Sequence, residues 1–259
     1  MSAPLIEFER VTVMRGSTVA LDDISLKIGP GEHIAIIGPN GCGKSTFIKV
    51  ITRECYPLAR DGSSLNILGH DHWNVFELRS LLGIVSSDLM TYCTRDVTGA
   101  DLVLSGFFSS IGLWPHHHVT SDMRERAERA LEQLEVPHLA SRYTDEMSSG
   151  EGRRVLLARA LVHDPRALIL DEPSTALDLF AQHELRETLR KLARSGIGIV
   201  MVTHHLSDLI PEIERVILMR SGRVLADGPK REILTGDRLS ELFGLPVDLA
   251  ERAGYYNLW

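Results

Sequence analysis

Nine residues, "GPNGCGKST" from Gly38 to Thr46, most constrain what this chain can become. They match G-x-x-x-x-G-K-[ST] and lie between a continuous apolar run, "HIAIIG", and a helical one, "KSTFIKVIT". A buried strand that passes into a helix through such a loop points to an α/β layer architecture. Gly38, Gly41 and Gly43 let the backbone curl, through Pro39, Asn40 and Cys42, so that successive N–H groups point inward at phosphate oxygens. Lys44 is placed to reach β- and γ-phosphates, and the Ser45 hydroxyl to ligate Mg²⁺. Thr46 follows in the first turn, where the helix adds its positive end. The expectation is a nucleotide site served by Mg²⁺.

The segment "ALILDEP" supplies carboxylates. Its apolar strand residues end in Asp171 and Glu172, at the carboxyl edge where open α/β sheets place ligands. Asp171 suits the Mg²⁺ shell, and Glu172 suits orienting and deprotonating a water. His204, in "VTHH" after "GIGIVMVT", is expected at the same kind of edge, within reach of a γ-phosphate. His205 reads as solvent-facing. The triplet His116–His118 has no matching ligands and reads as a surface loop.

A second anion-type feature lies about a hundred residues after the loop. In "MSSGEGRR", Met147–Arg154, small polar residues precede the apolar "VLLARAL", the pattern of an N-capped helix start.

The 259 residues allow one large domain or a domain with an inserted lobe. A net charge of -7 and the absence of any Lys/Arg run argue against nucleic acid as a partner. Cys42, Cys55 and Cys93 are odd in number and lack metal-type spacing, which fits a reducing compartment. The mixed charges of "MSAPLIEFER" argue against a signal peptide, and no apolar stretch approaches the ~18–20 residues of a membrane span.

Two alternating runs, "FERVTVMR" and "ALDDISLKI", read as half-buried antiparallel strands, divided from "HIAIIG" by a turn at Gly29–Gly31. Residues 96–136 carry helical periodicity, clearest in "DMRERAERALEQLEV". "ALILD", "GIVMVT" and "RVILM" then alternate with helical segments, which argues for a mostly parallel sheet.

Taken in order, the phosphate loop, "MSSGEGRRVLLARAL", "LILDEPSTALD" and "VTHH" resemble the nucleotide-binding subunit of an ABC transporter. The resemblance covers nearly the whole chain. It implies an ABC-type P-loop ATPase with a mostly parallel core, an antiparallel N-terminal β subdomain and an inserted helical lobe. The implied layout is one domain over 1–259. Residues 1–87 and 155–235 form its core with the β subdomain, 88–154 the helical lobe and 236–259 a tail. In that family a signature reading roughly L-S-G-G-Q precedes a helix; Met147, Ser148, Ser149, Gly150 and Glu151 stand there. Two cassettes pair head to tail, so the resemblance implies a second copy as partner. Ser148 and its helix then bind the γ-phosphate of ATP held by the partner's Lys44, and Asp178 of "STALD" reaches across the seam. It also implies separate membrane permease subunits, a place on the inner face of the cell membrane, and ATP with Mg²⁺. The tail resembles ATPases that energise import of metal chelates and oxyanions.

The sequence departs from the pattern in several places. Arg15 stands where an aromatic normally holds the adenine, and Ser87 where a glutamine normally reaches toward Mg²⁺. Ser149 replaces a glycine and Glu151 a glutamine. A soluble ABC-type ATPase is the alternative, although such proteins usually carry two cassettes or a long coiled-coil insertion.

Overall fold

The computed structural model of the chain describes residues 3–86 and 97–259. Among them the strands, in chain order, are β1 (Ile6–Arg15), β2 (Thr18–Ile28), β3 (His33–Ile37), β4 (Ser64–Ile67), β5 (Leu82–Ser86), β6 (Ala167–Asp171), β7 (Gly198–Thr203), β8 (Arg215–Arg220), β9 (Arg223–Pro229), β10 (Leu249–Arg252) and β11 (Tyr255–Leu258). The chain divides into two compact units: Met1–Leu78 with Gly198–Trp259, and Arg79–Ile197.

In the first unit, the alternating N-terminal runs form an antiparallel pair, β1 and β2, registered from Ile6↔Ile28 to Arg15↔Thr18. β4 pairs with the other edge of β1. Phe8, Val11 and Val13 are all buried, although the step from Phe8 to Val11 breaks the period of two. A register shift there, with Arg10 at φ 48°, inserts the extra residue that returns Val11 to the buried face. Phe8 then stacks on Phe47 of the phosphate-loop helix with centroids 4.7 Å apart.

β3 lies between β7 and β8, parallel to both, and β9 returns antiparallel on β8. Ile34–Ile37 and Ile199–Val202 have essentially no exposed surface, which is why these strands read as unbroken apolar runs. The tail is a helix, Gly236–Phe243, followed by the β10–β11 hairpin. Tyr256 of that hairpin is buried, with the Lys230 ammonium 5.6 Å from its ring centroid.

In the second unit, β5 runs parallel to β6, from Leu82↔Ala167 to Ser86↔Asp171. Its main helices are Gly99–Leu104, Ser121–Gln133, Ser149–Leu161 and Leu179–Arg194. Each begins at a side-chain cap: Thr98, Thr120, Ser148 or Asp178 accepts an N–H from its own first turn. The described part of 96–136 is less helical than its periodicity suggests. Ser109 at φ 52° and Gly112 at φ 71° break it, and Pro115 follows. The intervening loop packs through its rings instead: His117 lies flat on Phe108 at 4.1 Å and accepts a hydrogen bond from the Trp114 N–H. His116 and His117 therefore belong to the ring packing of this loop, and His118 is exposed. Among the described residues, no helix is long and apolar enough to cross a membrane.

Candidate nucleotide site

The first unit holds the phosphate loop between β3 and the helix Lys44–Ile51. Its glycines are required by shape. Gly43 caps the helix at φ 107°, and a Cβ there would stand 2.4 Å from the Ala20 carbonyl oxygen. A Cβ on Gly38 would stand 2.2 Å from the Met219 carbonyl oxygen. The loop is thus pressed against its own unit at Gly38 and Gly43, leaving no room for a side chain at either. Lys44 is buried, and its ammonium donates to the carbonyls of Gly38 at 2.7 Å and Pro39 at 3.1 Å. Those bonds fold the side chain back along the loop, with its charge over the curled backbone. Asn40, Gly41 and Ser45 are exposed, whereas Thr46 is buried. Cys42 is 3% exposed as a residue, so the loop shields its side chain.

His204 follows β7 directly and is half-buried; His205 is exposed, and their ring centroids are 3.8 Å apart. The turn beneath them is fixed from within. Thr203 Oγ1 donates to the buried Asp208 carboxylate at 2.5 Å and accepts from the His205 N–H at 3.0 Å. Arg15 ends β1, exposed, with its guanidinium 3.9 Å from Cys55 Sγ.

In the second unit, Asp171 closes β6 and pairs in register with Ser86 at the end of β5. Glu172 follows at φ 49°, a left-handed backbone that costs a non-glycine residue about 1 kcal/mol or more. Ser87 lies outside the described residues.

The helix Ser149–Leu161 starts with a reciprocal capping box. Ser148 Oγ accepts the Glu151 N–H at 3.3 Å, and Glu151 Oε2 accepts the Ser148 N–H at 2.8 Å. Ser148 and Ser149 are exposed at this positive helix end. A Cβ on Gly150 would come 2.9 Å from Ala181 Cβ, so glycine lets the next helix approach. That helix is capped by Asp178, whose Oδ1 accepts the Ala181 N–H at 2.8 Å. Ser148, Ser149, Gly150, Glu151 and Asp178 thereby line one small cavity of 100 Å³.

A family profile described as "ABC transporter" matches residues 21–175, more than half of the chain. The chain belongs to the ABC transporter family. It is 32% identical over 248 residues to the uncharacterized ABC transporter ATP-binding protein YlmA of Bacillus subtilis (strain 168), covering 94% of this chain and 92% of YlmA. It is 30% identical over 250 residues to the hemin import ATP-binding protein HmuV of Aliivibrio fischeri (strain ATCC 700601 / ES114), covering 94% and 92%. Among solved structures, a metal-chelate type ABC transporter in an inward-facing conformation matches with a TM-score of 0.79 at 23% identity, covering 99% of this chain and 96% of that one. At that identity the likeness speaks to the fold, which is the P-loop ABC ATPase fold.

This ABC ATPase therefore binds and hydrolyses ATP as the ATP-binding subunit of a transporter. One residue joins the Ser148 helix end through space and not through any sequence pattern. Arg142 donates from Nη1 to Glu151 Oε1 at 3.1 Å and from Nη2 to the Glu146 carbonyl at 2.6 Å. The only sequence signal was indirect: an acid where the family pattern has an amide.

Proposed function

We propose that this ABC ATPase drives import of a metal chelate or related oxyanion through separate membrane subunits, working as a head-to-tail pair with a second copy of itself. The observation that carries the pairing is the exposed signature end of the second unit. Ser148 and Ser149 present a helix N-terminus suited to an anion, while Leu179 and Phe180, next to Asp178, are 83% and 73% exposed. An anion site flanked by unburied apolar side chains fits a surface that another chain covers.

In this reading, the loop amides of Gly38–Thr46 and the Lys44 ammonium hold the β- and γ-phosphates of ATP. Ser148 and the amides behind it contact the same γ-phosphate from the opposing copy. Glu172 orients a water for in-line attack and accepts its proton, while His204 steadies the γ-phosphate. Asp178 caps its own helix and borders the seam. Arg15 lies against the adenine. The exposed Ser45 hydroxyl and the strand-end carboxylate of Asp171 are hard oxygen donors of the kind Mg²⁺ takes. When bound, Mg²⁺ neutralises charge across the β- and γ-phosphates.

The import of a chelate rests on the likeness to HmuV and on the tail. Copurification from native membranes, followed by identification of the bound polypeptides and assay of solute uptake, tests this. Recovery of permease subunits whose uptake of a metal chelate or oxyanion needs ATP is the expected result. Recovery only of soluble partners would favour an ABC ATPase acting away from the membrane.

A further inference from the structure

The signature of this protein carries a charge problem. Glu151 occupies the third position of the helix Ser149–Leu161, one turn from the exposed Ser148 and Ser149. Its carboxylate is bound in place by the Ser148 N–H at 2.8 Å. That N–H favours the ionised form and lowers the acid below its ordinary carboxylate value, with Arg142 adding to the effect. An anion arriving at this helix end would therefore meet a fixed negative charge well inside the ~8 Å Debye length of physiological salt.

Arg142 answers that charge. Its guanidinium reaches Glu151 Oε1 at 3.1 Å while its other nitrogen holds the Glu146 carbonyl at 2.6 Å. The two ends of this fork join the carboxylate to the loop that delivers Ser148. Glu151 thus accepts from the Ser148 N–H with one oxygen and from Arg142 with the other.

We propose that Arg142 is a positioning residue for ATP: it neutralises Glu151, so that the signature helix of one copy can accept the γ-phosphate held by the phosphate loop of the other. The inference rests on the signature reading given above. Arg142 bonds to the Glu151 carboxylate and the Glu146 carbonyl, so its effect on the phosphate passes through Glu151. Without it the helix end keeps its capping geometry and regains one uncompensated negative charge. The consequence is a weaker encounter with the triphosphate, expressed in KM more than in kcat, and screened by salt.

Steady-state ATP hydrolysis by the full chain tests this with Arg142→Gln, Glu151→Gln and the double variant. Arg142→Gln is expected to raise KM for ATP about two- to fivefold at low salt, with kcat within about twofold, the scale of one partly exposed charge pair. The defect should shrink as salt rises, and the double variant should match Glu151→Gln alone. If Arg142 only tethered the loop through the Glu146 carbonyl, Glu151→Gln would not rescue Arg142→Gln, and the proposal would be overturned. An unchanged KM in Arg142→Gln overturns it equally. Ser149→Asp separates the underlying reading. An acid at the first helical position favours the helix but repels phosphate, so KM should rise. An unaltered KM there would remove the signature reading itself, and the proposal with it.

Discussion

Replacing Gly43 with alanine probes the phosphate loop where its geometry is least forgiving. The residue sits at φ 107°, outside the regions alanine populates, and holding a side chain there costs about 1–3 kcal/mol. The new Cβ would also lie 2.4 Å from the Ala20 carbonyl oxygen and 3.0 Å from Leu21 Cδ2. The nearest of these atoms belongs to backbone in the antiparallel sheet, which gives way poorly. Overpacking of this kind adds about 1–3 kcal/mol. The sum, about 2–6 kcal/mol, corresponds to a fall in Tm of roughly 5–20 °C for a chain of this size. Gly41→Ala is the matched control. Gly41 is also left-handed, at φ 79°, but a Cβ there meets nothing within 4 Å. Its cost is backbone strain alone, about 1–2 kcal/mol and roughly 2–8 °C. Nucleotide affinity should separate the pair further. A loop pushed off Ala20 misaims its N–H groups, and one lost charge-assisted hydrogen bond weakens Kd about tenfold or more. Thermal unfolding and titration with a fluorescent ATP analogue measure both effects. A Gly43→Ala protein that melts with Gly41→Ala and binds nucleotide like the wild type would refute the contact argument.

Two further substitutions and a modification bear on the same elements. Cys42 is buried, so maleimide modification of the folded protein should be slow at this thiol; mass spectrometry after brief labelling should find Cys42 unmodified, and rapid labelling would contradict the shielding. Glu151 is ionised below its ordinary range, first through the Ser148 N–H, so its stabilisation is present above the unfolded-state carboxylate pKa and is lost as pH falls through the lowered folded value. Unfolding curves across that acid window should therefore be flatter in Glu151→Gln; equal slopes would sink the assignment. Arg153 is 3% exposed, and its Nε and Nη1 have no hydrogen-bond partner among the described residues. Replacing that buried charge by Arg153→Met should leave Tm unchanged or raise it by a few degrees, and a clear fall would show a partner that the guanidinium serves.

The parts of this fold that were legible in the sequence are those where local chemistry and tertiary role coincide. The glycine pattern of the loop follows from the left-handed backbone at Gly41 and Gly43, which no other residue adopts cheaply. The unbroken apolar runs of β3 and β7 follow from burial on both faces. The N-cap near Ser148 is legible in the small polar residues ahead of the apolar run, but the helix starts at Ser149, before the apolar run at Val155, because Ser148 and Glu151 close a capping box. Longer-range pairing was not readable. Arg142 meets Glu151 from nine positions upstream, across a loop whose course no periodicity encodes. β4 has four residues and β9 alternates without a distinct boundary, so both were missed, while the tail hairpin has only exposed or half-exposed residues apart from Tyr256. The helical period over 96–136 overstated its helix because aromatic stacking, rather than amphipathic packing, organises the loop around Phe108 and His117.

The central claim is that one copy's signature completes the other copy's ATP site. The most direct test is the mass of Glu172→Gln in solution, with ATP and Mg²⁺ against ADP and Mg²⁺, by analytical ultracentrifugation. Removing the base keeps the shape of the side chain and withholds a contribution of about 10²–10⁴-fold to hydrolysis, so ATP persists in the closed pair. The account predicts twice the 28.8 kDa chain mass with ATP, the single-chain mass with ADP, and loss of the ATP-bound pair when Ser149→Asp is added. A protein that stays single with ATP, or a pair indifferent to Ser149→Asp, would contradict it.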